Sequence, residues 1–150
     1  MPSVEIQIRD KHFWRLVCPK TFCRRIIQAA WMGNSDAEIS VVLADDNFVH
    51  ALNKQYRGKD KPTNVLSFEN EGICAGDIVV AYGVLVREAR EQNKSFRAHL
   101  AHLLVHGTLH LQKYDHLTDK QANKMEKLET KIMQKLGYPN PYKEETCYQK

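Results

Sequence analysis

No apolar run in the 150 residues is long enough to cross a membrane. The longest are Val41-Val42-Leu43-Ala44 and the stretch 78–86, which Gly83 interrupts, and a span needs roughly 18 residues. The opening residues, Met-Pro-Ser-Val-Glu-Ile-Gln-Ile, alternate polar and apolar side chains and contain no signal-peptide hydrophobic block. Both absences predict a cytoplasmic protein with no membrane partner. Cys-x-x-Cys pairs are also missing. Cys18, Cys23, Cys74 and Cys147 lie far apart and are expected to be reduced thiols, with Cys18 and Cys23 as buried helix residues rather than metal ligands. There is no low-complexity segment and no internal repeat.

The composition that remains is that of a globular chain, 43% hydrophobic and 27% charged. One domain over 1–150 is expected, with residues 138–150, which include Pro139 and Pro141, as a surface-hugging or frayed tail. A formal net charge of +4 is compatible with a polyanionic partner without requiring one.

Val4, Ile6 and Ile8 alternate with polar residues, the pattern of a half-buried strand. A helix is predicted over 19–32 and stopped by Gly33-Asn34. A β-branched strand follows over 38–43, then a helix capped by Asp45 or Asp46 and running past Tyr56. Residues 64–68 read as a third strand, 72–76 as a loop and 77–80 as a fourth strand. The second half reads as helix: 82–92, then a Ser95-capped helix to about Leu111. A last helix, capped at Thr118-Asp119, has Met125, Leu128, Ile132, Met133 and Leu136 inside. Strands first and helices after predict an α+β fold, one small mixed sheet of about four strands with helices packed on it.

The chemistry concentrates in His106-Gly-Thr-Leu-His110-Leu-Gln-Lys-Tyr-Asp-His116. Helical spacing of four puts His106 and His110 on one face, one turn apart, where both rings can reach the same ion at about 2.0–2.1 Å. His116 lies past the predicted helix end, and residues 113–115 give the chain room to turn back. Three imidazoles on one ion favour Zn2+ and leave a fourth tetrahedral position for water, the arrangement of catalytic sites. Nickel, copper or iron would accept the same nitrogens. His102, one turn before His106, competes for the role by spacing. His12, His50 and His99 lack such partners and are expected at the surface. The metalloprotease pattern His-Glu-x-x-His is absent, because Gly107 stands where its glutamate base would be. A base must then be remote, or metal-bound hydroxide must act alone, and peptidase chemistry is disfavoured.

Three blocks resemble the YbeY family, bacterial rRNA maturation factors described as metal-dependent single-strand endoribonucleases. They are residues 106–116, the segment Leu52-Asn-x-x-Tyr-Arg-x-x-Asp-x-Pro-Thr-x-Val-Leu-Ser-Phe68, and Gly76-Asp77-Ile78. Two positions depart from the family pattern: Lys113 where Gly is usual, and Asn64 where Asp is usual. A Gly used for positive φ would be replaced by Lys at some cost, and any role needing a carboxylate at 64 would be lost.

The resemblance implies one zinc ion on His106, His110 and His116, with no small-molecule cofactor. It also implies Arg57 and His106 as catalytic residues, Arg57 gripping phosphate with its fork and meeting charge in the transition state. The implied activity is single-strand-specific endoribonuclease cleavage in rRNA processing, at the 16S rRNA 3′ end, and in ribosome quality control. Implied partners are single-stranded RNA and rRNA, the small ribosomal subunit and ribosome-maturation proteins. Lys59, Lys61, Arg87, Arg90, Lys94 and Arg97 supply charge for an RNA backbone, and Ser67 either bonds substrate or is an ordinary strand residue. The alternative is an assembly or RNA-binding factor with a largely structural zinc and little turnover. With no RRM or KH signature in the chain, specificity would come from protein partners.

Overall fold

A computed structural model describes residues 1–9, 19–70 and 74–142. The elements run β1 (Ser3–Ile8), α1 (Pro19–Ala30), β2 (Glu38–Ala44), α2 (Asp46–Arg57), β3 (Val65–Glu69) and β4 (Cys74–Ala81). Three helices follow, α3 (Tyr82–Glu91), α4 (Phe96–Leu111) and α5 (Asp119–Lys135). His12 and Cys18 lie outside the described residues, as does the tail beyond residue 142.

The four strands form one mixed sheet in the order β1-β2-β4-β3. β1 and β4 pair with β2 in parallel, and β3 pairs antiparallel with β4 at the edge. Sequence explains the order. β4 is apolar on both of its faces: Ile78 and Val80 join the larger core, Val79 and Ala81 the smaller one. A strand so patterned belongs inside a sheet covered on both sides. Helices therefore sit on both faces, α1 and α4 in contact with the larger core and α2 with the smaller.

α4 is the central helix, touching α1, α3, α5 and the sheet. Its apolar residues run nearly all round it, and Leu100, Ala101, Leu104, Val105 and Leu109 are fully buried, as expected for a helix packed on several sides. Gly107 permits its approach to the sheet. A Cβ there would come 3.0 Å from Ser67 Oγ and 3.2 Å from Ile78 Cγ2. Position 107 thus faces the strands, and a glutamate placed there would be driven into them.

The expected loop over 72–76 is corrected over 74–76, since residues 72 and 73 lie outside the described residues. β4 begins at Cys74, with Cys74 opposite Glu38 and Gly76 opposite both Ile39 and Glu69. Gly76 misled the reading because it is in the strand for close approach: with φ of 154°, its Cβ would meet the Phe68 carbonyl oxygen at 2.3 Å. No helix among the described residues is long and apolar enough to cross a membrane.

Candidate metal centre

The last two turns of α4 carry His106 and His110, and the chain then turns back through residues 112–118. Lys113 makes that turn with φ of 72°, the left-handed conformation that a glycine would adopt without strain. The Gln112, Lys113 and Tyr114 N–H groups donate to the Leu109 and His110 carbonyls, satisfying the helix C-terminus. His116 is thereby delivered to the other two rings. One ligand atom from each of His106, His110 and His116 lies within 4.8 Å of the others, the only such histidine, cysteine or carboxylate group of three among the described residues.

The donor set fits a tetrahedral cation. His106 Nδ1 is 2.6 Å from Glu129 Oε2, so its proton sits on Nδ1 and its Nε2 lone pair faces His110 Nε2 at 3.1 Å. Bonds of about 2.0–2.1 Å at tetrahedral angles separate two ligand nitrogens by roughly 3.3 Å, close to that spacing. Burial, followed by the neighbouring His106 and His116, holds the His110 pKa below its usual value. That favours the neutral ring, the form that ligates.

The fourth histidine on this face is engaged elsewhere. His102 Nε2 is 2.8 Å from Glu129 Oε1, so the rival suggested by spacing does not join the cluster. The surface position expected for His99 is corrected: it is 2% exposed, with Nε2 2.9 Å from Glu88 Oε1. His99 and His102 lie on the same stripe as the other two, and each meets a carboxylate, partly exposed Glu88 for His99 and buried Glu129 for His102. His50 is half-buried and meets Asp60 Oδ1 at 2.7 Å. Cys23 is fully buried, and burial pushes its thiol up to about 12, so it offers no thiolate at neutral pH.

Glu129 was missed by sequence reasoning, although a signal existed. It falls among Met125, Leu128, Ile132, Met133 and Leu136 on the inner face of α5, where an unpaired carboxylate could not remain. Burial acts to raise its pKa, but hydrogen bonds from His102 and His106 prevail, with Tyr142 adding to them, and hold it at about 2.

The cluster opens into a groove of about 560 Å³ whose walls include Arg57, Lys59, Lys61, His106, His110 and His116. Arg57 is the last residue of α2, which ends on Gly58 in the left-handed conformation. Its Nη2 donates to the Ser67 carbonyl at 2.5 Å, and its guanidinium carbon stands 5.3 Å from the Phe68 ring centroid. Further N–H donors remain on the fork. Buried Asn53 donates from Nδ2 to the Lys61 carbonyl at 2.8 Å and so holds the basic loop against α2. Ser67 Oγ donates to the Gly107 carbonyl at 3.2 Å, tying the edge strand to α4. Among the other basic residues, Lys94 donates to the Pro141 carbonyl and Arg97 lies over Phe22.

Residues 10–137 match the family described as Endoribonuclease YbeY. A protein of that name from Sinorhizobium medicae is 53% identical, covering 71% of this chain and 68% of its own length. Another from Methylocella silvestris is 42% identical over 95% of this chain and 87% of its own. The solution structure of TM1509 from Thermotoga maritima superposes with a TM-score of 0.53 at 28% identity, over 93% of this chain and 99% of that one. With its histidine block intact and the match running from residue 10 to 137, this chain belongs to the endoribonuclease YbeY family of RNA-cleaving hydrolases.

Proposed function

We propose that the protein is a zinc-dependent, single-strand-specific endoribonuclease. Its natural work would be maturation of the 16S rRNA 3′ end and ribosome quality control, in the cytoplasm, alongside the small subunit and its maturation proteins. The observation that carries this reading is that the three histidines, Arg57 and two lysines line one groove. His106, His110 and His116 would hold the ion, which when bound supplies Lewis-acid polarisation of a phosphoryl oxygen.

The chain's own residues divide the remaining work. Lys59 and Lys61 draw in the polyanionic backbone. Arg57, steadied by the Ser67 carbonyl and the Phe68 ring, offers its free N–H groups to the phosphate as negative charge builds on the equatorial oxygens. Gly107, turned toward the sheet, supplies no base, which separates this site from His-Glu-x-x-His peptidases.

The test compares the parent with His110→Ala and Arg57→Ala on single-stranded and structured rRNA fragments, measuring metal content and folding in the same preparations. H110A is expected to stay folded, lose zinc and lose cleavage. R57A is expected to keep zinc and fold while cleaving about 100-fold or more slowly. Folded H110A that cleaves as well as the parent would overturn the reading. A 3′-hydroxyl product end would indicate attack by water, and a 2′,3′-cyclic phosphate attack by the RNA itself.

A further inference from the structure

One buried carboxylate links three other side chains behind the histidine cluster. Glu129 has no solvent exposure, and both of its oxygens are committed. Oε2 accepts from His106 Nδ1 at 2.6 Å, while Oε1 meets His102 Nε2 at 2.8 Å and accepts from the Tyr142 hydroxyl. The three partners come from two places. His106 and His102 sit one turn apart on α4, and Tyr142 follows α5 on a short segment. That segment is held by Lys94 Nζ on the Pro141 carbonyl and by Asn140 Oδ1, which accepts from the Tyr142 N–H and from Thr130 Oγ1.

We propose that Glu129, fixed by His102 and Tyr142, is the positioning residue that makes His106 a ligand; the proposal rests on the three-histidine reading above. An imidazole can carry its proton on either nitrogen and can rotate about its side-chain bonds. An anion on Nδ1 settles both choices, because it holds the proton there, leaves Nε2 as a lone pair, and makes that nitrogen a stronger donor. A carboxylate free to swing would do this poorly. His102 and Tyr142 occupy the second oxygen and remove that freedom. The arrangement also accounts for His102, which has ligand spacing but points its Nε2 away from the cluster.

The proposal is tested on the full-length chain with Glu129→Gln and Tyr142→Phe. Gln keeps the shape and an acceptor for His106 while discarding the charge, so the metal-free protein should retain its melting temperature. The readings are zinc affinity by competition with a chromophoric chelator and the visible bands of the cobalt-substituted protein, which report ligand geometry. E129Q is expected to bind zinc about 10- to 100-fold more weakly, with altered cobalt bands. Y142F, in which the carboxylate remains but is less constrained, should lose several-fold.

Parent-like affinity and bands in a folded E129Q would overturn the role of Glu129. If E129Q fails to fold, Y142F decides: a several-fold loss supports the role and parent-like affinity overturns it. H110A separates the two readings. If it binds zinc like the parent, the histidine cluster itself is wrong. If it loses zinc while E129Q does not, only Glu129 is wrong.

Discussion

At the scale of single residues, Asn64 has specific surroundings. Asn64 Oδ1 accepts from the Val65 N–H at 2.7 Å, and its Nδ2 donates to Glu88 Oε1 at 3.0 Å. The same Glu88 oxygen meets buried His99, so the amide is one of two donors to a largely enclosed carboxylate. Asn64→Asp keeps the acceptor but replaces the donor with an oxygen facing Glu88. Two carboxylates that close raise one another's pKa in the folded state. A group with a raised folded pKa stabilises below its unfolded value and loses that contribution as pH rises through the folded one. N64D should therefore cost on the order of 1–3 kcal/mol at about pH 8 and less at about pH 5. Melting temperatures at the two pH values measure this, and an equal or smaller loss at the higher pH would contradict it. The histidines show why single residues were harder to read than elements. Spacing put His102, His106 and His110 on one face and left His99 for the surface, but which of them meets a carboxylate depends on Glu88 and Glu129, contributed by other helices.

At the scale of elements, periodicity carried most of the information. Apart from the start of β4, the strands and helices among the described residues stand where alternation, helical spacing and capping residues put them, because α1, α2, α3 and α5 each have one inner stripe and α4 is apolar nearly all round. Asp45 and Ser95 accept from backbone N–H groups at the starts of α2 and α4, and Thr118 forms a full capping box with Gln121. The start of β4 was misread because a glycine is ambiguous between a loop and a crowded strand. The crowding can be tested. A methyl at position 76 would meet the Phe68 carbonyl oxygen at 2.3 Å and Leu111 Cδ2 at 2.5 Å. Relief would need β3 to separate from β4, or α4 to lift from the sheet at its histidine-bearing end. Gly76→Ala should cost on the order of 2–3 kcal/mol in denaturant unfolding. RNA cleavage should weaken as well, because Arg57 is tied to β3 and His110 to α4. A variant as stable as the parent would mean that the close approach of strand and helix is not needed.

At the scale of the whole molecule, the histidine cluster and its carboxylate join the central helix, the turn after it and α5, which already share one core. His106 and His110 belong to the central helix, His116 to the turn after it, and Glu129 to α5, with Tyr142 closing the network from the far end of that helix. A ligand that binds only the folded arrangement stabilises it by RT ln(1 + [L]/Kd), about 4 kcal/mol at a thousandfold excess over Kd. For a chain of this size each kcal/mol moves the melting temperature by roughly 2–4 °C. Zinc should therefore raise the parent's melting temperature by about 10 °C over the chelator-treated protein, somewhat less if the unfolded chain's histidines also bind it. H110A should show little or none of this rise. H50A, whose ring pairs with Asp60 instead, should show all of it. Three melts with zinc and three with chelator measure the coupling without any substrate. Equal shifts in H110A and the parent would mean that the metal acts elsewhere on the chain, whatever the cleavage assays report.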